Sequence, residues 1–124
     1  MKKLLFILGV FFSVTSFAQT GDDVVNALKA GNAEKFTGYF SNTIDLKLPQ
    51  KNEMKNVGKS EASSAVSGFF SANNITGFEL TSEREMSGTM YIAGKLNGGT
   101  QSYNITVMLT SNGKTMSVIT VRIS

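Results

Sequence analysis

Cysteine, histidine and tryptophan are absent from the 124 residues, and there is a single proline. Each absence excludes a class of chemistry. Without cysteine there is no disulfide, no thiolate metal site and no lipid-modified cysteine to hold an exported protein on a membrane. Without histidine as well, a zinc site lacks both of its preferred ligands, and a serine or threonine nucleophile lacks its usual base. No metal and no cofactor are therefore expected. Arginine is scarce too, with only Arg84 and Arg122, and no basic run occurs anywhere. Nucleic acid and anionic lipid need such a footprint, so neither is expected as a partner.

The first feature that is present is an export signal. Lys2 and Lys3 make a basic start, Leu4 to Val14 an apolar run, and Ser16-Phe17-Ala18 a small-x-small cleavage site. This is the pattern of a secretory leader. The apolar run falls short of the about 20 residues that span a bilayer. We therefore expect residues 1–18 to be a signal peptide cut after Ala18, leaving 19–124 as a single domain, periplasmic or secreted and unattached to the membrane. Cleavage changes the composition: Phe6, Phe11, Phe12 and Phe17 leave with the leader, and ten basic residues remain against nine acidic ones. The net charge of +3 drops to +1, so the apparent basicity belongs mostly to the leader.

One short stretch imitates a nucleotide site. Gly58-Lys59-Ser60 is how a phosphate-binding loop ends before its helix, but that loop needs a glycine five residues before Gly58, and Glu53 stands there. Without that glycine the backbone N–H groups do not wrap the phosphates. The simpler reading makes Gly58 the start of a helix, with Glu61 in its first turn, where a carboxylate suits the positive end of the dipole.

Periodicity supplies the organisation. Thr20 and Asp23 have capping-box-like spacing before Val24, Val25, Ala27 and Leu28, and Lys29-Ala30-Gly31 ends that first helix. Asn32 caps a second short helix, with Phe36 and Phe40 four apart on one face. Ile44, Leu46 and Leu48 alternate with Asp45 and Lys47 until Pro49, which reads as a strand with one buried face. Ala62, Ala65, Val66, Phe69 and Phe70 follow helical spacing and give a third helix, weakened by its serines and Gly68. After Asn73-Asn74 the chain reads as four strands in antiparallel succession, with hairpin signals at Asn97-Gly98-Gly99 and Asn112-Gly113. The last strand is partly apolar on both faces, through Ile119, Val121 and Ile123 on one and Val118 on the other, and so reads as central or covered on both sides. Helices gathered on one side of such a sheet make an α+β fold.

The phrases "DDVVNALKAGNA", "YFSNTIDLKLPQK", the helix ending in "GFF" and the closing "MSVITVRIS" resemble a family of small secreted bacterial proteins known only as a domain of unknown function. The resemblance runs from Asp22 to Ser124 and implies a nuclear-transport-factor-2-like, or cystatin-like, fold. In that fold three N-terminal helices accompany a cone-shaped, curved antiparallel sheet of four to five strands. It implies no activity of its own, and the wider superfamily includes isomerases, dehydratases and non-catalytic ligand binders.

Three kinds of function follow. In the isomerase-like or dehydratase-like sites of that superfamily a carboxylate within the cone shuttles a proton and a tyrosine hydroxyl stabilises an enolate. Asp45, Glu79, Tyr91 and Tyr103 are the residues of the right types, yet alternation puts Asp45 and Glu79 on polar strand faces, where solvation accounts for them. A non-catalytic cone would instead bind a small apolar ligand, with Phe40, Phe69, Phe70, Tyr91 and Tyr103 as candidate lining residues. These, with Phe36, Tyr39 and Phe78, are also what a domain of this size needs to fill its core. The third class is an interaction module, a homodimer or a partner's platform, using the open face of the sheet. The two non-catalytic classes fit the residues better than the enzyme does.

Overall fold

The glycine stop at Gly31 sets the geometry of the N-terminal layer. In the computed structural model, which describes residues 16–111 and 115–124 with side chains from Thr20 onward, α1 (Ser16–Lys29) ends at Gly31 with φ of 66°. Gly31 N–H donates to the Leu28 carbonyl and Asn32 N–H to the Ala27 carbonyl, both at 3.0 Å. This pair of bonds is the Schellman closure that a left-handed residue permits. A Cβ at Gly31 would also lie 2.7 Å from the Ile75 carbonyl oxygen, so the chain requires glycine here on two counts. Asn32 then caps α2 (Ala33–Thr37), its Oδ1 accepting from Lys35 N–H at 3.0 Å, as the sequence suggests. At the other end the structure differs, since α1 begins upstream of Thr20 and takes Thr20 and Asp23 into its interior. Between Ser16 and Asp22 only Gly21 is a weak helix former, and the helix runs through it; a chain cut after Ala18 would place Thr20 in the first turn.

Phe40 is not helical but opens β1 (Phe40–Lys47); its ring still meets Phe36 edge-on at 5.3 Å. Ile44, Leu46 and Leu48 are buried while Asp45 and Lys47 are half-buried, as their alternation requires. After a turn the chain forms β2 (Met54–Gly58), antiparallel to β1, where the sequence suggests only an approach to a helix. Its periodicity is hidden by a bulge. Lys55 and Asn56 both fall opposite Asp45, Asn56 takes φ of 55°, and Asn56 N–H donates to the Asp45 carboxylate at 3.0 Å.

α3 (Lys59–Ala72) follows directly, burying Ala62, Val66 and Phe70 in the stripe its spacing predicts. Then come β3 (Gly77–Met86), β4 (Thr89–Asn97), β5 (Ser102–Ser111) and β6 (Met116–Ile123). Ser87 and Gly88, with φ of 51° and 79°, make the two-residue hairpin between β3 and β4. Asn97-Gly98-Gly99 leads from β4 to β5 as expected, whereas Asn112-Gly113 lies outside the described residues.

The sheet order is β2-β1-β6-β5-β4-β3, so six strands replace the expected four to five. The sheet is curved and unclosed, and the α+β class stands. Its strands are antiparallel except at one place: β1 and β6 run parallel. β6 is central as expected, but for another reason than burial on both faces. Met108 pairs with Thr120 and Leu109 with Val118, leaving Ile119 as an extra residue that shifts the alternation from Met116 and Val118 to Val121 and Ile123. The core gathers these residues with Ile105, Val107 and Leu109, and with Phe36, which stacks on Phe70 at 6.3 Å.

Candidate functional site

A half-open cavity of about 600 Å³ lies where three distant segments meet. That volume is in the range of small-molecule sites. Leu48, Pro49, Gln50 and Lys51 of the β1–β2 turn form one wall. Ser64, Ala65, Gly68, Phe69 and Ala72 of α3, with Asn73 just past its end, form the second, and Gln101 and Tyr103 around the start of β5 form the third. Both apolar and polar groups are thus exposed inside, and no carboxylate is among its lining residues.

Two aromatic rings join Leu48, Pro49, Ala65 and Ala72 in the apolar part. Phe69 and Tyr103, both half-buried, meet edge to face with centroids 5.0 Å apart. Tyr103 Oη lies 2.9 Å from Asn73 Oδ1 and 2.9 Å from Gln101 Oε1. A hydroxyl has one proton for these two acceptors. Asn73 is already oriented by its own Nδ2, which donates to the Phe69 carbonyl at 2.9 Å, so its Oδ1 is the fixed acceptor. The exposed Gln101 amide is the exchangeable partner, a place where a ligand atom can substitute.

The turn is held from several sides. Lys51 N–H donates to the Leu48 carbonyl at 3.2 Å across Pro49 and Gln50, and Lys47 Nζ donates to the same carbonyl at 2.8 Å. Proline at the second position and φ of 63° at Gln50 give the dihedral pattern of a type II turn, in which the third position favours glycine. Beyond the turn, the Arg122 guanidinium meets the Glu53 carboxylate at 3.0 Å and ties the loop to the end of β6.

Of the residues singled out in the sequence, Phe69 and Tyr103 meet in this cavity. Phe40 and Phe70 lie in the core, each 4% exposed. Phe70 also borders a shallower groove beside the α1–α2 turn, where it is the sole aromatic and is already stacked on Phe36. Tyr91 stands on the outer face of β4, opposite Met108 and Arg84. Asp45 is on the outer face of β1, holding the Asn56 N–H. The register runs Asp45, Thr120, Met108, Tyr91, which separates Asp45 from Tyr91 by three strand spacings, about 14 Å. Tyr103 faces the other way, beside the buried Leu96, and Glu79 is exposed on the edge strand β3. Asp45, Glu79, Tyr91 and Tyr103 therefore do not converge. Among the described residues no group of acidic side chains is placed to hold a metal ion. Lys59 of the loop-like tripeptide donates to the Gly38 carbonyl at 3.3 Å, which occupies its ammonium with backbone.

Gln50, Lys51, Gly68, Asn73 and Gln101 are not among the candidate site residues that the sequence offers. A signal existed for one of them: proline followed by a residue other than glycine or asparagine, at the end of a strand.

The family pattern described as a domain of unknown function, DUF4783, matches residues 21–124. The chain belongs to the DUF4783 family. Its fold is similar to that of a DUF4783 protein from Bacteroides ovatus, with a TM-score of 0.75 and 22% identity over 82% of this chain and 90% of that one. A second, from Bacteroides uniformis, gives a TM-score of 0.76 at 18% identity over 83% and 94%. An uncharacterised cystatin-fold protein from Novosphingobium aromaticivorans gives 0.63 at 10% identity over 86% and 95%. At such identities the common ground is the DUF4783 fold, now placed among cystatin-like and nuclear-transport-factor-2-like structures. Among curated proteins none matches this chain.

Proposed function

We propose that this DUF4783 protein is an exported, non-catalytic binding module whose small ligand enters the cavity between the β1–β2 turn, α3 and β5. One observation carries the reading: two residues on that cavity are each the less stable choice for their backbone. Gly68 sits in the middle of α3, where alanine would be about 1 kcal/mol better, and a Cβ there would meet nothing within 4 Å. Gln50 sits at φ of 63°, where glycine would be the comfortable residue. Glycine stands where a side chain would fit, and a side chain where glycine would. Departures from local preference of this kind gather at functional sites, because the geometry of the site is what they preserve.

Gly68→Leu tests the reading. The new side chain enters open space on a helix, so the variant should fold at least as well as the parent while its cavity is partly filled. Equal retention by parent and variant of a small molecule co-purifying from the periplasm would refute the assignment. The export part rests on the leader pattern and on a family match that begins at residue 21. Mass measurement of the exported protein checks it, with Gln19 as the expected N-terminus.

A second reading has its own observation. Met86 is 50% exposed, and it shares the outer face of the sheet with the half-buried Tyr91 and Met108. That face suits a protein contact, a second copy of the chain being the simplest. Sedimentation at micromolar concentration decides: a monomer removes this reading.

A further inference from the structure

Resting on the binding reading above, we infer that the ligand is an amphiphile with an anionic head, a carboxylate on an apolar chain, with its head at Lys51 and its chain along Phe69 and Tyr103. The charge around the cavity points one way. Lys51 is the one ionised residue among its lining residues, it is exposed at the rim, and its ammonium makes no ion pair or hydrogen bond among the described residues. The neighbouring cations are engaged elsewhere: Lys47 on the Leu48 carbonyl and Arg122 on Glu53. Glu53, the nearest acid in sequence, is thereby held by Arg122 and leaves Lys51 free.

The polar groups around Lys51 agree with it. Gln50 and Gln101 carry amide N–H₂ donors at the rim, and Gln101 is the exchangeable partner of the Tyr103 hydroxyl. A carboxylate accepts from all of these, whereas an ammonium head would face Lys51 with no compensating acid. The turn that presents Lys51 holds Gln50 in the left-handed region. Its geometry, with Gln50 left-handed and Lys51 N–H closed onto Leu48, fixes where the cation leaves the backbone. Behind the rim, Ala65, Gly68 and the two aromatic rings offer apolar wall and no further charge.

Isothermal titration of the exported protein with decanoate, decanol and decyltrimethylammonium tests the assignment. Decanoate should bind about two- to fivefold more tightly than decanol, the size of an exposed ion pair, and the ammonium compound should bind weakest. The preference should vanish in Lys51→Gln, invert toward the ammonium compound in Lys51→Glu, and shrink as salt is raised. If decanol binds as tightly as decanoate, the anionic head is refuted while the cavity reading stands. A full preference retained in Lys51→Gln refutes the role of Lys51. If none of the three binds to the parent, or if Gly68→Leu binds all three unchanged, the cavity reading itself fails. These results are distinct, so the two levels fall separately.

Discussion

Replacing Gln50 by glycine should stabilise this protein, although glycine usually destabilises. An L-residue held in the left-handed region costs roughly 1–2 kcal/mol relative to its ordinary conformations. Gln50 is held there at φ of 63° by the Lys51 N–H bond to Leu48 and by Pro49 before it. Glycine removes that cost but adds unfolded-state entropy, which takes back roughly 0.5–1 kcal/mol. The balance is a gain of about 0.5–1 kcal/mol, since the Gln50 side chain is exposed and little packing is lost. For a domain of this size that is a rise of roughly 2–6 °C in melting temperature. Urea unfolding followed by circular dichroism measures it, with Gln50→Ala as the control that keeps the strain and removes the amide. The alanine variant should show no gain. A midpoint lowered by Gln50→Gly, as at an ordinary loop position, would refute both the strain and its use as a sign of function. The same glycine variant should bind decanoate less well, because a rim donor is gone and the turn that aims Lys51 is looser.

Phe36→Ala should cost about 3–5 kcal/mol, because this fully buried ring meets Phe40 edge-on and stacks on Phe70, and denaturant midpoints will show it. Gly94→Ala places a Cβ against the Glu79 carbonyl oxygen and 2.6 Å from the Phe78 ring, so about 1–3 kcal/mol should be lost in the same assay unless β3 can move away. Burial raises the Tyr39 phenol above its usual value, and the Asp23 carboxylate raises it further by repulsion of the phenolate and by accepting the phenol proton. A raised phenol favours its protonated form, so this contribution is complete below about pH 10 and is lost as pH climbs through the folded value. Tyr39→Phe should therefore flatten the alkaline decline in stability, and an unchanged decline would assign it to other groups. Arg122→Gln removes an exposed ion pair, 54% and 26% accessible on its two sides, and should cost under about 1 kcal/mol while loosening the β1–β2 turn. Its effect should therefore be larger on ligand affinity than on the melting temperature.

The helices and most strands were legible because their signals are local. Gly31 stops α1 through bonds that lie within six residues, Asn32 caps α2 three residues on, and the stripe of α3 is a matter of spacing alone. What escaped was broken periodicity. β2 was hidden by the two residues bulged opposite Asp45, and the two apolar faces of β6 recorded the extra residue Ile119 rather than a strand covered twice. A bulge changes the face on which later side chains fall, so period counting across it misassigns them. Among the site residues, Phe69 and Tyr103 were visible as aromatics, whereas Gln50, Lys51 and Gln101 are ordinary polar residues until the fold brings them together.

The pairing that brings them together is the one the sequence conceals. β1 and β6 run parallel, with Lys47 beside Arg122, so β1 ends where β6 ends. β5 is antiparallel to β6, and Asn104 exchanges backbone hydrogen bonds with Ser124 at 2.8 and 2.9 Å, so β5 begins at that same end. The turn of Leu48 to Lys51 and the ring of Tyr103 are thereby delivered to one side of the sheet. Had β1 entered antiparallel to β6, the turn would lie a strand's length away, about 25 Å for eight residues, and Phe69 would face Tyr103 without Gln50 or Lys51. Strand direction leaves no mark on the alternation of apolar residues, since a strand reads the same in either sense. In this protein the site is a consequence of direction: one parallel pair within an otherwise antiparallel sheet gives an aromatic wall its charged rim.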